Sequence, residues 1–334
     1  MPLMDDRKPY LSLVLTGRND NYGGDFKSRL QKCISNTFKQ LNAASISSEL
    51  IFVNYNPDQT NPPIEEFIEW PKSNDTVKVK VLTVPNEVHK ELVATGEVKD
   101  VPVLEYMGKN AGIRRAKGEF ILSMNPDIVL PQELVEQLKS LSKKKYYRAD
   151  RVDFEGDLEG DYKYLRFFMK GHDHPLSSLD QISQLRKENI KENAWKIFTP
   201  NISWILNRFS KPVYYDNIPN RFHCNVSGDF MLMHRDHWKA LHGHHQHTPI
   251  ALHVDSLMVV QAAALKLKEH TFKHPIFHQE HTRRYDATLP DPRFKEAFAI
   301  FLADGNEMMR TGKPKIYNDA NWGLSKFDLP ELNL

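Results

Sequence analysis

The chain has 334 residues, 40% of them hydrophobic and 10% aromatic, so it can bury a large core in one α/β domain or two smaller ones. Its 45 Lys and Arg residues against 43 Asp and Glu residues leave a formal net charge of +2, which excludes an overall field favouring nucleic acid or a membrane surface as partner. Two cysteines, Cys33 and Cys224, indicate a reducing compartment rather than a disulfide framework. No apolar run approaches the roughly 20 residues that span a bilayer, and residues 1–10 lack the apolar core of a signal peptide, so we expect a soluble, cytoplasmic protein without a transmembrane segment.

Strands and helices alternate in the first part of the chain. Four apolar or alternating runs predict strands: Leu11–Thr16, Glu49–Asn54, Val77–Val84 and Glu119–Met124. Apolar residues at helical spacing predict helices that begin near Phe26, Leu104 and Pro131. This alternation is typical of an α/β fold with a mostly parallel, right-handed sheet over about residues 8–145 and helices on both faces.

The second part of the chain is less regular. A helix is predicted over about Leu179–Asn189, whereas Trp195–Phe222 shows no pattern that we can assign. The segment Asp229–Leu241 predicts a short strand that leads into a helix, and Asp255–Lys268 predicts a further helix. The last 30 residues carry three large apolar side chains that predict a tail docked on the body, namely Trp322, Phe327 and Leu329.

Polar side chains follow three of the predicted strands. Thr16 and Asn54 end the first and second strands, and Asn125-Pro126-Asp127 follows the fourth. Ligands of such sheets bind outside the carboxyl ends of the strands. A carboxylate held there can bind a hard divalent cation that also contacts phosphate groups, so Asp127 is the best metal candidate. Capping of the helix at Pro131 is the other role that the residues leave open.

The segment that leads into Asp127 carries a family pattern. It runs Asn-x-Gly-x-x-x-Ala-x-Gly-Glu-Phe-Ile over residues 110–121, followed by a short apolar run and Asn125-x-Asp127. This pattern resembles the donor-site signature of GT-A-fold glycosyltransferases, especially the family-2-like group. The resemblance covers about the first 145 residues and implies a Rossmann-like nucleotide-diphospho-sugar transferase fold. In that family the last Asp of an Asp-x-Asp motif holds Mn²⁺ or Mg²⁺, which bridges the two phosphates of a nucleotide sugar.

The resemblance also implies roles around the donor. Thr16 falls where the family contacts the base, and Asn54 stands where the family has an Asp that reads uracil. Lys109 and Asn110 fall on the family's Arg-Asn pair, and Asn125 falls on the first Asp of the metal motif. Both Asn54 and Asn125 are neutral, so the resemblance does not secure uridine as the nucleoside of the donor, and the metal has one negatively charged ligand fewer than in the family. The basic side chains that are candidates for pairing with the donor are Arg18, Arg114 and Arg115.

The acceptor half is expected to supply the general base and a further metal ligand. In the family, an acidic residue that opens a late helix deprotonates the acceptor hydroxyl. Asp255 precedes a helical run and is the predicted base, with an N-cap role as the alternative and Asp229 as the second candidate. A late histidine completes the metal shell in many GT-A enzymes, and His278, followed by His281, is predicted for that role. A zinc site built from the other histidines is disfavoured, because their spacing matches no standard finger and cysteine pairs are absent from the sequence.

The predicted organisation has a donor-binding half at residues 1–145, an irregular acceptor-binding and catalytic half of the same domain at 146–303, and a docked tail at 304–334. We expect transfer of a sugar from a nucleoside-diphosphate sugar, UDP slightly favoured over GDP, to a glycan or other hydroxyl acceptor. We expect inversion of configuration at the anomeric carbon, with Mn²⁺ or Mg²⁺ bound, and leave retention open. The expected pathway is polysaccharide or glycan biosynthesis. Two alternatives are a glycosyltransferase-like binding protein without catalysis and, ranked lower, a sugar-phosphate nucleotidyltransferase, whose Gly-rich, Arg-containing phosphate loop is not reproduced after the first strand.

Overall fold

The computed structural model of the chain describes residues 8–96, 98, 101–169, 172–188, 222–224, 226–246, 252–282 and 292–334. Its strands are β1 (Leu11–Gly17), β2 (Ser48–Tyr55), β3 (Val77–Val84), β4 (Phe120–Met124), β5 (Ile128–Val129), β6 (Lys145–Arg148), β7 (Arg151–Gly156), β8 (Tyr162–Met169), β9 (His172–Pro175), β10 (Phe230–His234), β11 (Lys268–Thr271), β12 (Ile276–Gln279) and β13 (Glu331–Asn333). Its helices are α1 (Phe26–Ala43), α2 (Ile64–Phe67), α3 (Asn86–Ala94), α4 (Glu105–Arg115), α5 (Gln132–Gln137), α6 (Arg235–Leu241), α7 (Val254–Ala264) and α8 (Pro292–Thr311). Residues 181–188 are also helical, and Tyr22–Gly24 form a 3-10 turn.

The main sheet of the described residues has the strand order β11-β6-β10-β4-β1-β2-β3-β13. Strand β1 pairs in parallel with β2 and β4, and β2 pairs in parallel with β3. Strand β10 is antiparallel to both of its neighbours, β4 and β6. The predicted α/β class with a mostly parallel sheet is therefore confirmed. Because β6, β10 and β11 join this sheet, it spans both predicted halves, and the boundary placed at residue 145 falls inside β6.

Apolar side chains cover both faces of the main sheet, as continuous hydrophobic strands require. On one face, Leu13 and Leu15 of β1 pack with Leu30 of α1 in one core cluster. On the other face, Val14 packs with Ile113 of α4 in a second cluster. The alternation along β1 therefore places α1 and α4 on opposite sides of the sheet.

Helix α4 packs closely on the sheet at two residues that lack a side chain. A Cβ added to Gly108 would lie 2.5 Å from Cγ2 of Thr16, and one added to Gly112 would lie 2.5 Å from Cγ1 of Val14. Such distances are well inside van der Waals contact, so larger residues would push the helix away from the strands. Gly112, which belongs to the family-like pattern, and Gly108, which lies just before it, thus set the depth of α4, which carries Lys109 and Asn110.

A second sheet with the order β5-β12-β7-β8-β9 was not predicted from the sequence. It is attached to the main sheet through short connections, since β5 follows β4 and β7 follows β6 along the chain. One face carries a small core formed by Val152, Phe154, Phe167 and Phe277. The other face carries charged side chains and lies beside the carboxyl end of β4, where Asp127 was predicted to act.

Several predictions for the second half are confirmed. The segment 229–241 forms β10 and α6, and the segment 255–268 contains most of α7. Of the helix predicted over 179–189, residues 181–188 are helical, whereas residue 189 and most of 195–222 lie outside the described residues. Among the described residues, no helix is long and apolar enough to cross a membrane.

The C-terminal residues pack against the rest of the chain. Trp322 and Leu329 are buried, and β13 adds an antiparallel strand to the edge of β3. The guanidinium of Arg115 donates hydrogen bonds to the backbone carbonyls of Gly323, Leu324 and Phe327. The predicted start of the tail at residue 304 falls inside α8, so the tail proper begins after that helix.

Candidate metal and donor site

Asp127 lies in the turn that joins the two sheets, between the end of β4 and the start of β5. The backbone N–H of Gln279 donates to the carbonyl oxygen of Asp127 at 3.1 Å, which holds the turn against β12. The Asp127 carboxylate is buried, and its Oδ1 has no hydrogen-bond partner among the described residues. Helix α5 has Pro131 at its N-cap and no side-chain capping bond, so Asp127 does not cap it. A buried carboxylate oxygen without a partner is costly, and this atom therefore indicates a ligand site.

Two histidines complete a candidate metal triad, which we define as Asp127, His278 and His281. Nε2 of His278 lies 3.8 Å from Oδ2 of Asp127, and Nε2 of His281 lies 3.2 Å from the same oxygen. One ligand atom from each residue lies within 4.8 Å of the others. The structure thus brings together all three residues that the sequence predicted as metal ligands.

Strand pairing explains why the triad forms. His278 is opposite Ile128 in the antiparallel β5–β12 pair, which places β12 directly beside the Asp127 turn. His281 follows three residues later, after β12 has ended, and its side chain is nearly buried. Sequence reasoning identified both histidines but ranked them as alternatives, whereas the geometry supports both as ligands of one site.

The charge states of the triad are coupled. Burial alone would raise the pKa of Asp127, but the attraction of His278, His281 and Arg29 outweighs burial and lowers that pKa to about 2. Burial likewise opposes protonation of His281, yet its hydrogen bonds to Asp127 and to the carbonyl of Thr282 raise its pKa above the ordinary value. Asp127 is therefore ionised at neutral pH, and the site favours a positive charge beside it.

The Nδ1 atom of His281 lies 3.0 Å from the carbonyl oxygen of Thr282. A carbonyl can only accept a hydrogen bond, so Nδ1 carries the proton and Nε2 presents a lone pair in the neutral ring. That lone pair faces a carboxylate oxygen of Asp127, which is also an acceptor. Two acceptors at 3.2 Å need a proton or a metal ion between them.

The 3-10 turn after β1 closes one side of the triad. Gly23 has φ +70, and a Cβ on it would lie 2.8 Å from Nδ1 of His281, so both its conformation and its contacts favour glycine. The ring of Tyr22 packs edge-on against His281 with centroids 5.4 Å apart. Arg29 is buried behind this turn, where it donates to the carbonyl of Tyr22 at 2.6 Å and pairs with Asp25.

Asn125 is held in one orientation by two neighbours of opposite charge. Its Oδ1 accepts from Nζ of Lys109 at 2.6 Å, and its Nδ2 donates to Oδ1 of Asp229 at 2.7 Å. Lys109 is fully buried and also donates to Glu105 and to the carbonyl of Gly228. The asparagine that replaces the family's first Asp is therefore matched to its surroundings, and it does not join the metal triad.

The two candidates for the general base differ in how their oxygens are engaged. Asp229 is buried, and its second oxygen, Oδ2, accepts from Nη1 of Arg151 at 2.7 Å. Asp255 is half-buried in the first turn of α7, where Oδ2 accepts from the backbone of Gly228 at 2.7 Å and Oδ1 from that of Ser256. A continuous set of hydrogen bonds through Gly228, Lys109 and Asn125 connects Asp255 with the turn that carries Asp127.

The residues predicted to contact the base lie at the carboxyl edge of the main sheet but on opposite faces. Thr16 faces α4, as its approach to Gly108 shows. Asn54 comes one residue after Val53, which contacts Gly112 of α4, so Asn54 points to the other face. Oγ1 of Thr16 and Oδ1 of Asn54 are buried without a hydrogen-bond partner among the described residues. Their roles in base binding remain predictions.

The remaining predicted donor residues are engaged elsewhere. Arg18 donates to the carbonyl of Asn56 at 2.6 Å and lies beside two carboxylates of the β1 and β2 loops. Asn110 is fully buried and bonds the backbone of His244 in both directions. Arg114 lies over the ring of Trp322, and Arg115 holds the tail. The structure does not bring Asn110, Arg114 or Arg115 to the triad.

Sequence reasoning missed a charged cluster on the second sheet. Asp153 of β7 lies within ion-pair distance of Arg151, Arg166 and His278, at 2.8, 2.9 and 3.1 Å respectively. Burial alone would raise the pKa of Asp153, but its hydrogen bond to His278 and the attraction of Arg151, His278 and Arg166 lower that pKa to about 2. The alternating pattern Arg151-x-Asp153 places both side chains on one face of a strand, and this is the signal that would have identified them.

Comparison with known proteins finds likeness in structure only. The sequence matches no protein-family model and no curated protein. A crystal structure of S. aureus TarS 1-349 aligns with a TM-score of 0.45 at 11% identity, covering 90% of this chain and 73% of that chain. A crystal structure of GalNAc-T7 with UDP, GalNAc and Mn²⁺ aligns with a TM-score of 0.48 at 12% identity, covering 96% of this chain and 54% of that chain.

Proposed function

We propose that this protein is a metal-dependent glycosyltransferase that moves a sugar from a nucleoside-diphosphate sugar to a hydroxyl acceptor. The observation that carries this proposal is the triad at the carboxyl edge of the sheet. There one ligand atom from each of Asp127, His278 and His281 lies within 4.8 Å of the others, and Oδ1 of Asp127 has no hydrogen-bond partner among the described residues. Ligands of parallel α/β sheets bind at this edge, and the sequence pattern that ends in Asp127 resembles the donor site of GT-A enzymes.

The donor set fits a divalent transition metal better than Mg²⁺. Mg²⁺ prefers oxygen ligands and near-ideal octahedral geometry, whereas imidazole nitrogens suit softer ions. One carboxylate and two imidazoles therefore favour Mn²⁺ of the two predicted ions. Asp127, His278 and His281 would hold the ion, which supplies charge stabilisation for the departing diphosphate when it is bound.

Asp255 is the better candidate for the general base. Both oxygens of Asp229 are engaged, Oδ1 by Asn125 and Oδ2 by Arg151. Asp255 accepts only backbone N–H bonds among those described, which orient its carboxylate and leave lone pairs for an incoming hydroxyl. In the proposed reaction Asp255 takes the hydroxyl proton while the acceptor oxygen attacks the anomeric carbon. The bond from that carbon to the diphosphate oxygen breaks, with inversion of configuration.

The finer parts of the proposal follow from the chain itself. We propose a glycan or other hydroxyl compound as acceptor, a UDP-sugar as the first donor to test, and a role in polysaccharide or glycan biosynthesis. We also propose a cytoplasmic location, because Cys33 and Cys224 are both buried free thiols. Loss of catalysis is not needed to explain Asn125, since its bonds to Lys109 and Asp229 fit an amide rather than a carboxylate.

A thermal-shift panel tests the function. UDP, GDP and their sugars are each tested with Mn²⁺, with Mg²⁺ or with chelator, on the wild type and on Asp127→Ala. A ligand at about 100 times its Kd adds roughly 2.7 kcal/mol of stability, which is enough to raise the melting temperature visibly. We expect one nucleotide to stabilise the wild type only with metal and to leave Asp127→Ala unaffected. Equal stabilisation of both proteins would contradict a role for Asp127 in donor binding.

A further inference from the structure

Asp153 makes the closest polar contact of His278 outside the triad. Nδ1 of His278 lies 3.1 Å from Oδ1 of Asp153, whereas Nε2 faces Oδ2 of Asp127 at 3.8 Å. An ionised carboxylate is an acceptor only, so the proton of the neutral ring is drawn to Nδ1. Nε2 then presents its lone pair toward Asp127, as a metal ligand must.

Strand register builds this contact into the fold. His278 of β12 is opposite Asp153 of β7, and Asp153 is opposite Arg166 of β8. Side chains at paired positions of neighbouring strands project from the same face, so the three form one row across the sheet. A row fixed by backbone pairing holds the imidazole more rigidly than a loop contact would.

Two arginines hold the Asp153 carboxylate from both sides. Arg151 Nε lies 2.8 Å from Oδ1, and Arg166 donates to Oδ2 at 2.9 Å. Both guanidinium groups lie over the ring of Phe168, with the Cζ atoms of Arg151 and Arg166 at 4.3 Å and 5.6 Å from the ring centroid. Because Asp153 is fully buried among these groups, its carboxylate has little freedom to rotate away from His278.

A direct role of Asp153 as metal ligand fits the geometry less well. Ligand atoms of Asp153, His278 and Glu280 also lie within 4.8 Å of one another. However, Arg166 Nη2 already bridges the two carboxylates, at 2.9 Å from Asp153 and 2.5 Å from Glu280. A second cation there would face the guanidinium charge, whereas Oδ1 of Asp127 has no such neighbour bonded to it.

We propose that Asp153 is a positioning residue that holds His278 in the Nδ1–H tautomer with Nε2 directed at Asp127, and thereby sets the affinity of the triad for a divalent metal. This inference rests on the proposed metal-dependent function. Carboxylates that accept from a metal-ligating histidine commonly change metal affinity by about 10- to 100-fold when they are removed. We therefore expect Asp153→Asn to weaken Mn²⁺ binding by about that factor.

The test measures Mn²⁺ binding by isothermal titration calorimetry for the wild type, Asp153→Asn and Glu280→Gln. Glu280→Gln is the matched control, because Glu280 shares Arg166 with Asp153 but has no bond to His278 among those described. We expect affinity within error of the wild type for Glu280→Gln and a loss of about 10- to 100-fold for Asp153→Asn. Unchanged affinity in a folded Asp153→Asn protein would overturn the inference.

A second readout needs neither a variant nor bound metal. Nitrogen-15 NMR of the histidine-labelled, metal-free wild type at about pH 9, where free imidazole is neutral, distinguishes the two tautomers. We expect the Nδ1–H form at His278, and an Nε2–H form would overturn the inference even if Asp153→Asn failed to fold. If the wild type showed Nδ1–H but bound no Mn²⁺, the proposed function and the affinity claim would fail, while the positioning of His278 would stand.

Discussion

Restoring the family's Asp-x-Asp motif by Asn125→Asp is expected to destabilise this protein rather than improve its metal site. In the wild type, Asn125 Nδ2 donates to Oδ1 of Asp229 at 2.7 Å, and Asn125 Oδ1 accepts from Lys109. The substitution replaces that donor by a carboxylate oxygen, so a charged hydrogen bond becomes a contact between two acidic groups. Lys109 gains a charged partner, which offsets part of the loss.

The size of the effect follows from these contacts. Loss of a hydrogen bond to a charged group costs about 1.5–3 kcal/mol of stability. Each unit by which repulsion raises the pKa of one of the two carboxyl groups costs roughly 1.4 kcal/mol more. With about 1 kcal/mol returned by the bond to Lys109, we expect a net loss of about 2–3 kcal/mol at pH 7. The assay is the melting temperature measured from about pH 8 to about pH 5.

The pH dependence has a definite sign. Repulsion raises the pKa of one carboxyl in the folded variant, so the deficit is fully present above that raised pKa. It shrinks as the pH falls through that value and one group becomes protonated. The double variant Asn125→Asp/Asp229→Asn should regain part of the stability, since one donor and one acceptor again face each other. An Asn125→Asp protein that is as stable as the wild type at every pH, or that binds Mn²⁺ more tightly, would refute this reasoning.

Three further predictions concern the triad and the base. Gly23→Ala should weaken Mn²⁺ binding in calorimetry, because the added Cβ would lie 2.8 Å from Nδ1 of His281. Gly24→Ala is the control, because a Cβ there meets no atom within 4 Å, and equal effects of the two substitutions would argue against a steric cause. Asp255→Asn should lower kcat about 10²- to 10⁴-fold while donor binding by calorimetry stays unchanged, and normal turnover would exclude Asp255 as base. Mn²⁺ affinity should fall with falling pH, because protons compete with the metal for His281. The fall should begin above the ordinary histidine pKa, since the pKa of His281 is raised, and an affinity that does not change with pH would contradict ligation by this histidine.

Most of the main sheet could be predicted because its strands have strong local signals. The apolar runs that became β1 and β2 are covered on both faces, so their composition alone indicates burial. Asp127 was also predictable, since a carboxylate directly after such a strand must lie at the sheet edge. The pattern that contains Gly112 was recognised as a family signature, and the structure adds a physical reason for this glycine, the close packing of α4 on β1.

The second sheet escaped prediction because its strands are short and mix charged with apolar residues. Arg151 and Asp153 of β7 and Arg166 of β8 are stabilised by one another across two strands, and no short sequence window contains all of these partners. The same holds for His278 and His281, whose proposed role as ligands of one metal depends on β12 pairing with β5. Long-range pairing rather than local propensity therefore creates the charged face beside Asp127.

The residues of α4 that were predicted to bind the donor have other partners in the structure for a related reason. The family pattern placed Asn110, Arg114 and Arg115 near a donor, but the docked tail and the turn at His244 supply partners that the pattern does not encode. Each of these side chains satisfies backbone carbonyls far away in sequence. A helix read in isolation cannot reveal which of its polar side chains such distant segments will engage.

The most direct test of the account is the position of a bound ion. Crystals grown with Mn²⁺ and UDP, measured near the manganese absorption edge, would show the ion by its anomalous scattering. We predict a peak between Asp127, His278 and His281 that is absent from crystals of Asp127→Ala. A peak elsewhere, or no peak at a Mn²⁺ concentration that saturates binding in solution, would contradict the assignment of this triad as the metal centre.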